Sequence, residues 1–429
     1  MAKSHKAEGR EVAQKNKAVP KWVRSWRCKK ISTIGCGALV LISQTAFSDA
    51  GRHDTFRPYV GTSLLFDSNF LRLSKYDNAR DAVGKSTKSD FIKQLRAGFD
   101  IDWRFSRQQV LVKVDFNQHW FETFNELNYL GHGLLGQWNW ELGKNFKGDL
   151  GYLETKTLGT FNNINRLINN LLTLKKYYAD GAYQISPNWF LHGGFSRNDL
   201  TFSDAARRIG NLREDTVNIG LRYLNPINNM LGVNATLSDG LYPKRIFTSD
   251  SLIDNAYTRS EYYLEWAWNY SVKTRIDGQI GYTLQEYDHL KARNFSAVTS
   301  QVKLYWEPTE KTDLLLSGWR EITQANNITS SFVLSQGLKL IPSWSVSPKV
   351  KLKIPMSYEK RDYLGDPGII DNDSTGQKDN ITDIGLNLNY KPFENAELSA
   401  FIKNETRDST LTRRTYRTHF GGLNIRVAF

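Results

Sequence analysis

Apolar and polar residues alternate with a period of two along most of this 429-residue chain. Leu95, Ala97, Phe99, Ile101 and Trp103 interleave with Gln94, Arg96, Gly98, Asp100 and Asp102. The same rhythm recurs in Val110–Val112–Val114–Phe116, Val217–Ile219–Leu221–Tyr223 and Tyr262–Leu264–Trp266–Trp268–Tyr270, and again in Val350–Leu352–Ile354–Met356 and Ile384–Leu386–Leu388–Tyr390. The last run, Leu423–Ile425–Val427–Phe429, ends the chain. Alternation of this kind predicts β-strands with one apolar and one polar face. The runs are longer than the usual strand of about five or six residues. They match the roughly nine to eleven residues that a tilted strand needs to cross hydrocarbon. Trp103, Trp120, Trp140, Trp189, Trp268, Trp306, Trp319, Tyr358 and Tyr390 mark strand ends, as an aromatic girdle requires. A soluble β-sandwich would alternate too, but with shorter strands around a shared core.

The connections alternate between two lengths. Short turns are expected at Phe105-Ser106-Arg107, Gly143-Lys144-Asn145, Ser186-Pro187-Asn188, Asn225-Pro226-Ile227, Glu307-Pro308-Thr309, Ile341-Pro342-Ser343 and Lys391-Pro392-Phe393. Longer polar loops are expected at 67–89, 159–172, 201–211, 240–255 and 359–379. This is the asymmetry of an outer-membrane barrel, with short periplasmic turns and long extracellular loops. The fold expected is therefore all-β: a transmembrane antiparallel up-and-down β-barrel of about eighteen strands with both termini periplasmic. Sixteen is the alternative count, because the connections at 122–127 and 324–327 are hard to place.

Composition agrees once the N-terminus is set aside. Met1–Lys30 carries ten Lys and Arg against Glu8 and Glu11, an apolar stretch runs from Ile31 to Ser43, and Ala46-Phe47-Ser48 supplies small residues at the positions a signal peptidase reads. Residues 1–48 read as a secretory signal peptide and 49–429 as the barrel. The alternatives, a membrane anchor and a lipid attached at Cys36, fit less well: the apolar stretch is short for an anchor and continues past Cys36. Removing ten basic and two acidic residues lowers the formal charge from +13 to +5, so the basic balance does not point to nucleic acid. Both cysteines, Cys28 and Cys36, would leave with the leader. A mean hydropathy of −0.50 beside 13% aromatic residues suits a wall that is apolar outside and polar inside.

Candidate chemistry is sparse. No two of His53, His119, His132, His192, His289 and His419 stand at metal-ligand spacing, and no nucleophile–His group is evident, so neither enzyme nor cofactor nor metal is expected. His119, near Asp115 and Asn117, reads as a polar residue of a wet lumen. Asp371-Asn372-Asp373-Ser374-Thr375-Gly376 opens like a calcium loop but has Thr382 where the bidentate Glu should be. The expected pore lining carries both signs, with Arg96, Lys113, Asp115, Arg222, Arg275, Asp277, Lys303, Lys349, Lys351 and Lys353 as its principal candidates. Inward Tyr178, Tyr263 and Tyr305 could stack on sugar faces. Such a balance suits a hydrated path better than a single-sign ion filter. In the loop 159–172, Phe161, Ile164, Leu167, Ile168 and Leu171 recur at helical spacing among asparagines. The expectation is a short amphipathic helix that either folds into the barrel as a constriction or packs on a neighbouring loop. Terminal Phe429 closes the last strand as an assembly signal for the barrel-insertion machinery would.

Asp54-Thr55-Phe56-Arg57-Pro58-Tyr59-Val60-Gly61, the stretch from Leu65 to Leu73, Ala179-Asp180-Gly181-Ala182-Tyr183, Ser186-Pro187-Asn188-Trp189 and Arg213-Glu214-Asp215 form a recognisable set. They resemble segments of the EpsL-type β-barrel porins encoded with exopolysaccharide clusters and often linked to exosortase systems. The resemblance implies an outer-membrane conduit exporting a secreted polysaccharide, with periplasmic export components as partners. A general or solute-selective diffusion porin, and a surface adhesin or receptor barrel, are the alternatives.

Overall fold

The computed structural model describes residues 55–163, 166–324, 330–365 and 376–429. The leader segment and the calcium-like stretch Asp371–Thr375 lie outside the described residues. The strands are β1 Phe56–Asp67, β2 Asp90–Phe105, β3 Gln108–Phe121, β4 Tyr129–Leu142, β5 Phe146–Leu158, β6 Leu171–Ser186, β7 Trp189–Phe202, β8 Leu212–Leu224, β9 Met230–Leu241 and β10 Ala256–Ser271. The series continues with β11 Thr274–Tyr287, β12 Phe295–Thr309, β13 Thr312–Gln324, β14 Phe332–Ser347, β15 Val350–Lys353, β16 Met356–Leu364, β17 Lys378–Phe393, β18 Ala396–Ser409 and β19 Tyr416–Ala428. Apart from β15 and β16, which each pair with β14 and β17, every strand pairs antiparallel with its neighbours in sequence, and β1 closes the sheet by pairing with both β2 and β19: Val60 stands opposite Ala97 on one side and Val427 on the other.

The nineteen segments make an eighteen-strand barrel, because β15 and β16 are one strand interrupted by proline. Ser343 pairs with Lys353 and Leu340 with Met356, so the register runs unbroken past Ile354-Pro355. Ile354 N donates to Pro342 O at 3.0 Å, and Pro342, lacking an N–H, cannot return the bond. The expected turn at Ile341-Pro342-Ser343 is thus incorrect. These residues lie inside β14, and the chain reverses at residues 348–349. Proline marked a defect in the ladder, not the end of a strand. The tight turns use left-handed residues where reversal demands it, as at Ser106 (φ 51°) and Gly143 (φ 62°).

Parity sorts the two faces. Val60 and Leu64 on β1, Leu95 and Trp103 on β2, Val217 and Ile219 on β8, Leu264 and Trp268 on β10, and Leu423 and Ile425 on β19 all point outward and are exposed. So large an exposed apolar belt would be untenable in water and is what hydrocarbon demands. The barrel therefore sits in the outer membrane of a Gram-negative bacterium, with its long loops extracellular.

The apolar core lies beneath the extracellular loops. Leu71, Leu73, Ala79, Ile92, Phe121, Phe124, Leu127 and Phe161 are buried together there. Helix α1, Ala79–Val83, belongs to this cluster; Asn78 caps its start through a bond to the amide of Arg80, and Gly84 ends it at φ 71°. Nearby, the Asp90 carboxylate accepts the amides of Glu122, Thr123 and Phe124 at 2.9–3.0 Å, so the chain leaving β3 is folded over the barrel mouth.

Candidate channel and its constriction

The inner wall holds nine of the ten pore-lining candidates. Arg96, Lys113, Asp115, Arg222, Arg275, Asp277, Lys303, Lys351 and Lys353 all occupy register positions on the inward parity. Lys349 does not: it sits in the periplasmic turn after β14, where its Nζ donates to the Pro392 carbonyl at 2.8 Å. Counting parity through the expected strand placed it on the wall, but the turn begins before it. Most of the wall's charge is paired internally. Arg96 Nη2 donates to Asp115 Oδ1 at 3.1 Å, and the Tyr59 hydroxyl donates to Asp115 Oδ2 at 2.7 Å. Arg222 meets Glu265, Arg275 meets Asp277, and Lys351 meets Asp313, each at 2.6 Å. His119 lies flat on Tyr129 with ring centroids 4.4 Å apart.

Glycines keep this wall thin. Tyr59 lies over Gly98, where a Cβ would come within 2.6 Å of its hydroxyl, and the ring of Tyr178 covers Gly151 in the same way. Large inward side chains thereby lie along the sheet instead of filling the lumen.

Burial of the inward residues rises steeply toward the extracellular end. Lys113, Glu141 and Tyr305 are exposed in the lower lumen. Asp90, Glu214, Tyr257, Asp379 and Arg407, at the upper ends of their strands, are at most 1% exposed. Inward-folded loops cover them. The connection from β5 to β6 is central to this cover and differs from expectation: its described residues form turns and extended chain, with no helix. Asparagine side chains bond to distant groups instead of supporting a helix. Asn169 Nδ2 donates to the Glu126 carbonyl at 2.7 Å, and Asn170 Oδ1 accepts the Asp204 amide at 3.2 Å. Of the constriction candidates, Phe161 is buried against Phe70 with ring centroids 5.5 Å apart, and Leu167 packs on the same cluster. Ile168 lies near Phe161 and Asn170 at the loop base. Leu171 belongs to β6, opposite Leu158, so it is part of the wall and not of the loop. Ile164 lies outside the described residues.

This loop reaches across the lumen. Arg407, inward on β18, donates from Nη1 to the Asn162 carbonyl at 2.5 Å and to Asn163 Oδ1 at 3.1 Å. Its Nη2 meets Asp379 Oδ2 at 2.6 Å, and Gln377 Nε2 donates to the other side of the pair, to Asp379 Oδ1, at 3.0 Å. A second buried pair lies along the rim, where Glu214 Oε2 accepts from the Tyr257 hydroxyl at 2.5 Å and from Arg259 at 2.7 Å. Arg407, Gln377, Glu214, Tyr257 and Arg259 were not singled out as functional from sequence. The available signal was the alternation Lys403–Glu405–Arg407 and Asp379–Ile381–Asp383 on the inward parity near long-loop ends.

Outside the membrane, Asp254 anchors the loop between β9 and β10 to the next one. Its carboxylate accepts the amides of His289 and Leu290, each at 2.7 Å, and lies 3.0 Å from His289 Nδ1. Burial alone would raise its pKa. The hydrogen bonds from the His289 side chain and from the Leu290, His289 and Ala256 amides outweigh that and hold it below the usual carboxylate range.

A closed barrel with an apolar exterior and a charged, polar interior has the architecture of an outer-membrane barrel of the porin type. Residues 268–429 match the family described as "Putative beta-barrel porin 2". The barrel is similar to the outer-membrane protein OpdK of Pseudomonas aeruginosa, with 9% identity, TM-score 0.49, and 87% of this chain and 99% of that one covered. It is similar also to OccAB3 of Acinetobacter baumannii, with 9% identity, TM-score 0.47, and 88% and 99% covered. OccK9 (OpdG) of Pseudomonas aeruginosa gives 12% identity, TM-score 0.48, and 87% and 98% covered. Comparison with curated protein sequences gives no match.

Proposed function

We propose that this barrel is a passive diffusion channel for small hydrophilic solutes. The observation that carries the reading is the Arg407–Asn162 contact, which holds an inward loop across a charged lumen. A tethered loop of that kind limits solute size without preventing passage around it. Polysaccharide export, which the resemblance to exopolysaccharide-linked barrels implies, fits less well: a threading polymer would have to displace a loop that Arg407, itself fixed by Asp379, holds through Asn162 and Asn163. The match to a porin family likewise favours diffusion. The wall's largely self-neutralised charge suits water-borne solutes.

The test is liposome swelling with the purified, heat-modifiable barrel in a series of sugars of increasing size. Swelling with monosaccharides that fails for larger oligosaccharides supports the reading. Equal exclusion of all solutes, with secreted polymer lost in a deletion strain, would overturn it in favour of export.

A further inference from the structure

We propose that the lipid-facing wall of β17, β18 and β19 carries a binding site for lipid A, the phosphorylated glycolipid of the outer leaflet. The inference depends on the barrel's place in the outer membrane and not on what passes through its lumen. Outward residues on these strands change character over three successive rows. Arg417 stands in line with Thr406 and Thr382. The next row toward the periplasm holds His419, Asn404 and Ile384. The third, Gly421, Ile402 and Leu386, is apolar and continues onto β1 at Phe66.

The third row forms the floor of a groove of about 560 Å³. Gly421 opens it: between Ile402 and Phe66 the wall there is bare backbone. A Cβ at this position would lie 3.5 Å from Ile402 Cγ2 and 3.1 Å from the Phe401 carbonyl oxygen, so any larger residue would fill the notch. On the far side Ile384, Leu386 and Ile354 line it, Ile354 standing at the proline break between β15 and β16. An acyl chain laid in the groove gains van der Waals contact, but all lipid tails are equally apolar, so the groove alone does not choose among lipids. The rows above it supply the choice.

Above the groove the wall is basic. Arg417 and Lys378 are exposed, and among the described residues neither has a carboxylate within 4.0 Å. Arg417 Nε donates to Asn404 Oδ1 at 3.3 Å, which leaves its two Nη groups for a ligand. Lys360 and Arg320 add positive charge in one further row, through Gln336. The acids on this face are Asp362, 3.4 Å from Lys360, and Asp408, opposite Asn380. Four cations thus face two carboxylates. On β4 to β8 the outward charges near the extracellular ends are matched instead: Arg197 meets Asp215 at 2.6 Å, Arg213 meets Asp199 at 2.8 Å, and His132 lies 3.2 Å from Glu154.

A lipid-facing cation costs little only at headgroup depth, where it attracts anionic lipid. In the outer leaflet the anion at that depth is the phosphate on the glycolipid's sugars. The Arg417 fork suits a phosphate, and Lys378 adds a point charge beside it. Asn404 and Asn380 offer hydrogen bonds to the sugar hydroxyls. Phosphate above and acyl chain below is the order in which lipid A meets this wall. A phospholipid of the inner leaflet would present its headgroup at the opposite end.

The test uses the whole barrel, stripped of lipid in detergent and shown to be folded by heat-modifiability. Mixed micelles carrying bisphosphorylated lipid A should raise its unfolding temperature, and the lipid should stay bound in native mass spectrometry. Phosphatidylglycerol at equal charge should do neither, and lipid A without its phosphates should bind at least about tenfold more weakly. Arg417→Gln with Lys378→Gln should weaken lipid A binding by a similar factor, while Arg417→Lys with Lys378→Arg restores most of it. Ile384→Trp, which fills the groove, should weaken lipid A with and without phosphate. Lys156→Gln, outward on β5, should change nothing. Equal retention of phosphatidylglycerol or of dephosphorylated lipid A by the intact barrel overturns the site, whatever the variants do. Undiminished binding in the folded glutamine variant overturns it as well.

Discussion

Arg407 Nη1 donates to the carbonyl of Asn162, joining two parts of the chain separated by 245 positions and by five intervening strands of the wall. The same guanidinium holds Asp379, and both side chains are completely buried. One residue therefore fixes a loop across the lumen and balances a buried carboxylate. These two roles make different predictions. Arg407→Ala leaves Asp379 charged and uncompensated and should destabilise the barrel by about 3–5 kcal/mol. Arg407→Ala with Asp379→Asn removes that penalty but still frees the loop. The double variant should regain most of the intact barrel's resistance to unfolding in heated detergent, yet show larger and noisier single-channel conductance.

Excising the loop tests the constriction while leaving the buried Arg407–Asp379 pair in place. Because Leu171 already belongs to β6, the deletion should run from Phe161 to Asn170 and leave the Leu158–Leu171 pair to close the shortened hairpin. Conductance in planar bilayers should rise. Removing Phe161 also takes a ring from the cluster around Phe70, so loosening of the first extracellular loop should follow, read as faster proteolysis of the intact barrel in the 72–88 region. Unchanged conductance would mean that another loop sets the narrowest point.

Gly151→Ala probes the thin wall. A methyl at this position collides with the Tyr178 ring, whose hydroxyl donates to Gln137 Oε1 at 2.9 Å. The ring must leave the sheet and project into the lumen, so conductance should fall. Adding Tyr178→Ala should restore it, and that coupling between two neighbouring sites is the check.

The period of two made the barrel legible in sequence, because hydrocarbon outside and water inside impose opposite preferences on successive residues along the whole of each strand. Pro342 shows where local signals mislead: proline usually breaks strands, but here the neighbouring register carries the strand past it. The loop between β5 and β6 fails for a different reason. Phe161, Leu167 and Ile168 have helical spacing, yet partners distant in sequence, Phe70 and Arg407 among them, determine its path. The pairing of Arg407 with Asp379 was equally hidden. Their parity was readable, but their height in the wall and the loop covering them are tertiary facts.

Asp254 gives the extracellular rim an acid-sensitive joint. Its pKa in the folded barrel lies below its ordinary value, so the folded state binds its proton less readily than the unfolded chain does. The stabilisation is complete above the ordinary carboxylate range and is lost as the pH falls through the depressed value. Hydrogen exchange at the His289 and Leu290 amides, corrected for intrinsic rates, should accelerate on acidification below the usual carboxylate range. In Asp254→Asn the protection should already be low at neutral pH and nearly independent of pH. Equal protection in both proteins would show that the loops are held by other contacts.

Phe429 separates assembly from stability. It continues the outward parity of Leu423, Ile425 and Val427, is 69% exposed, and its amide donates to the Pro58 carbonyl at 2.9 Å where β19 meets β1. Deleting it removes one backbone hydrogen bond, worth about 1 kcal/mol net, and an aromatic ring already outside the packed wall. That loss is too small to unfold a closed barrel of eighteen strands. If Phe429 serves as the signal read by the insertion machinery, its deletion should sharply reduce the heat-modifiable protein recovered from the outer membrane, while the fraction that does assemble melts in detergent almost as the intact barrel does. Phe429→Trp should preserve the yield and Phe429→Asp should lose it. The competing outcome is a yield that falls only in proportion to a lowered melting temperature. It would mean that the residue holds the seam between β1 and β19 and carries no signal.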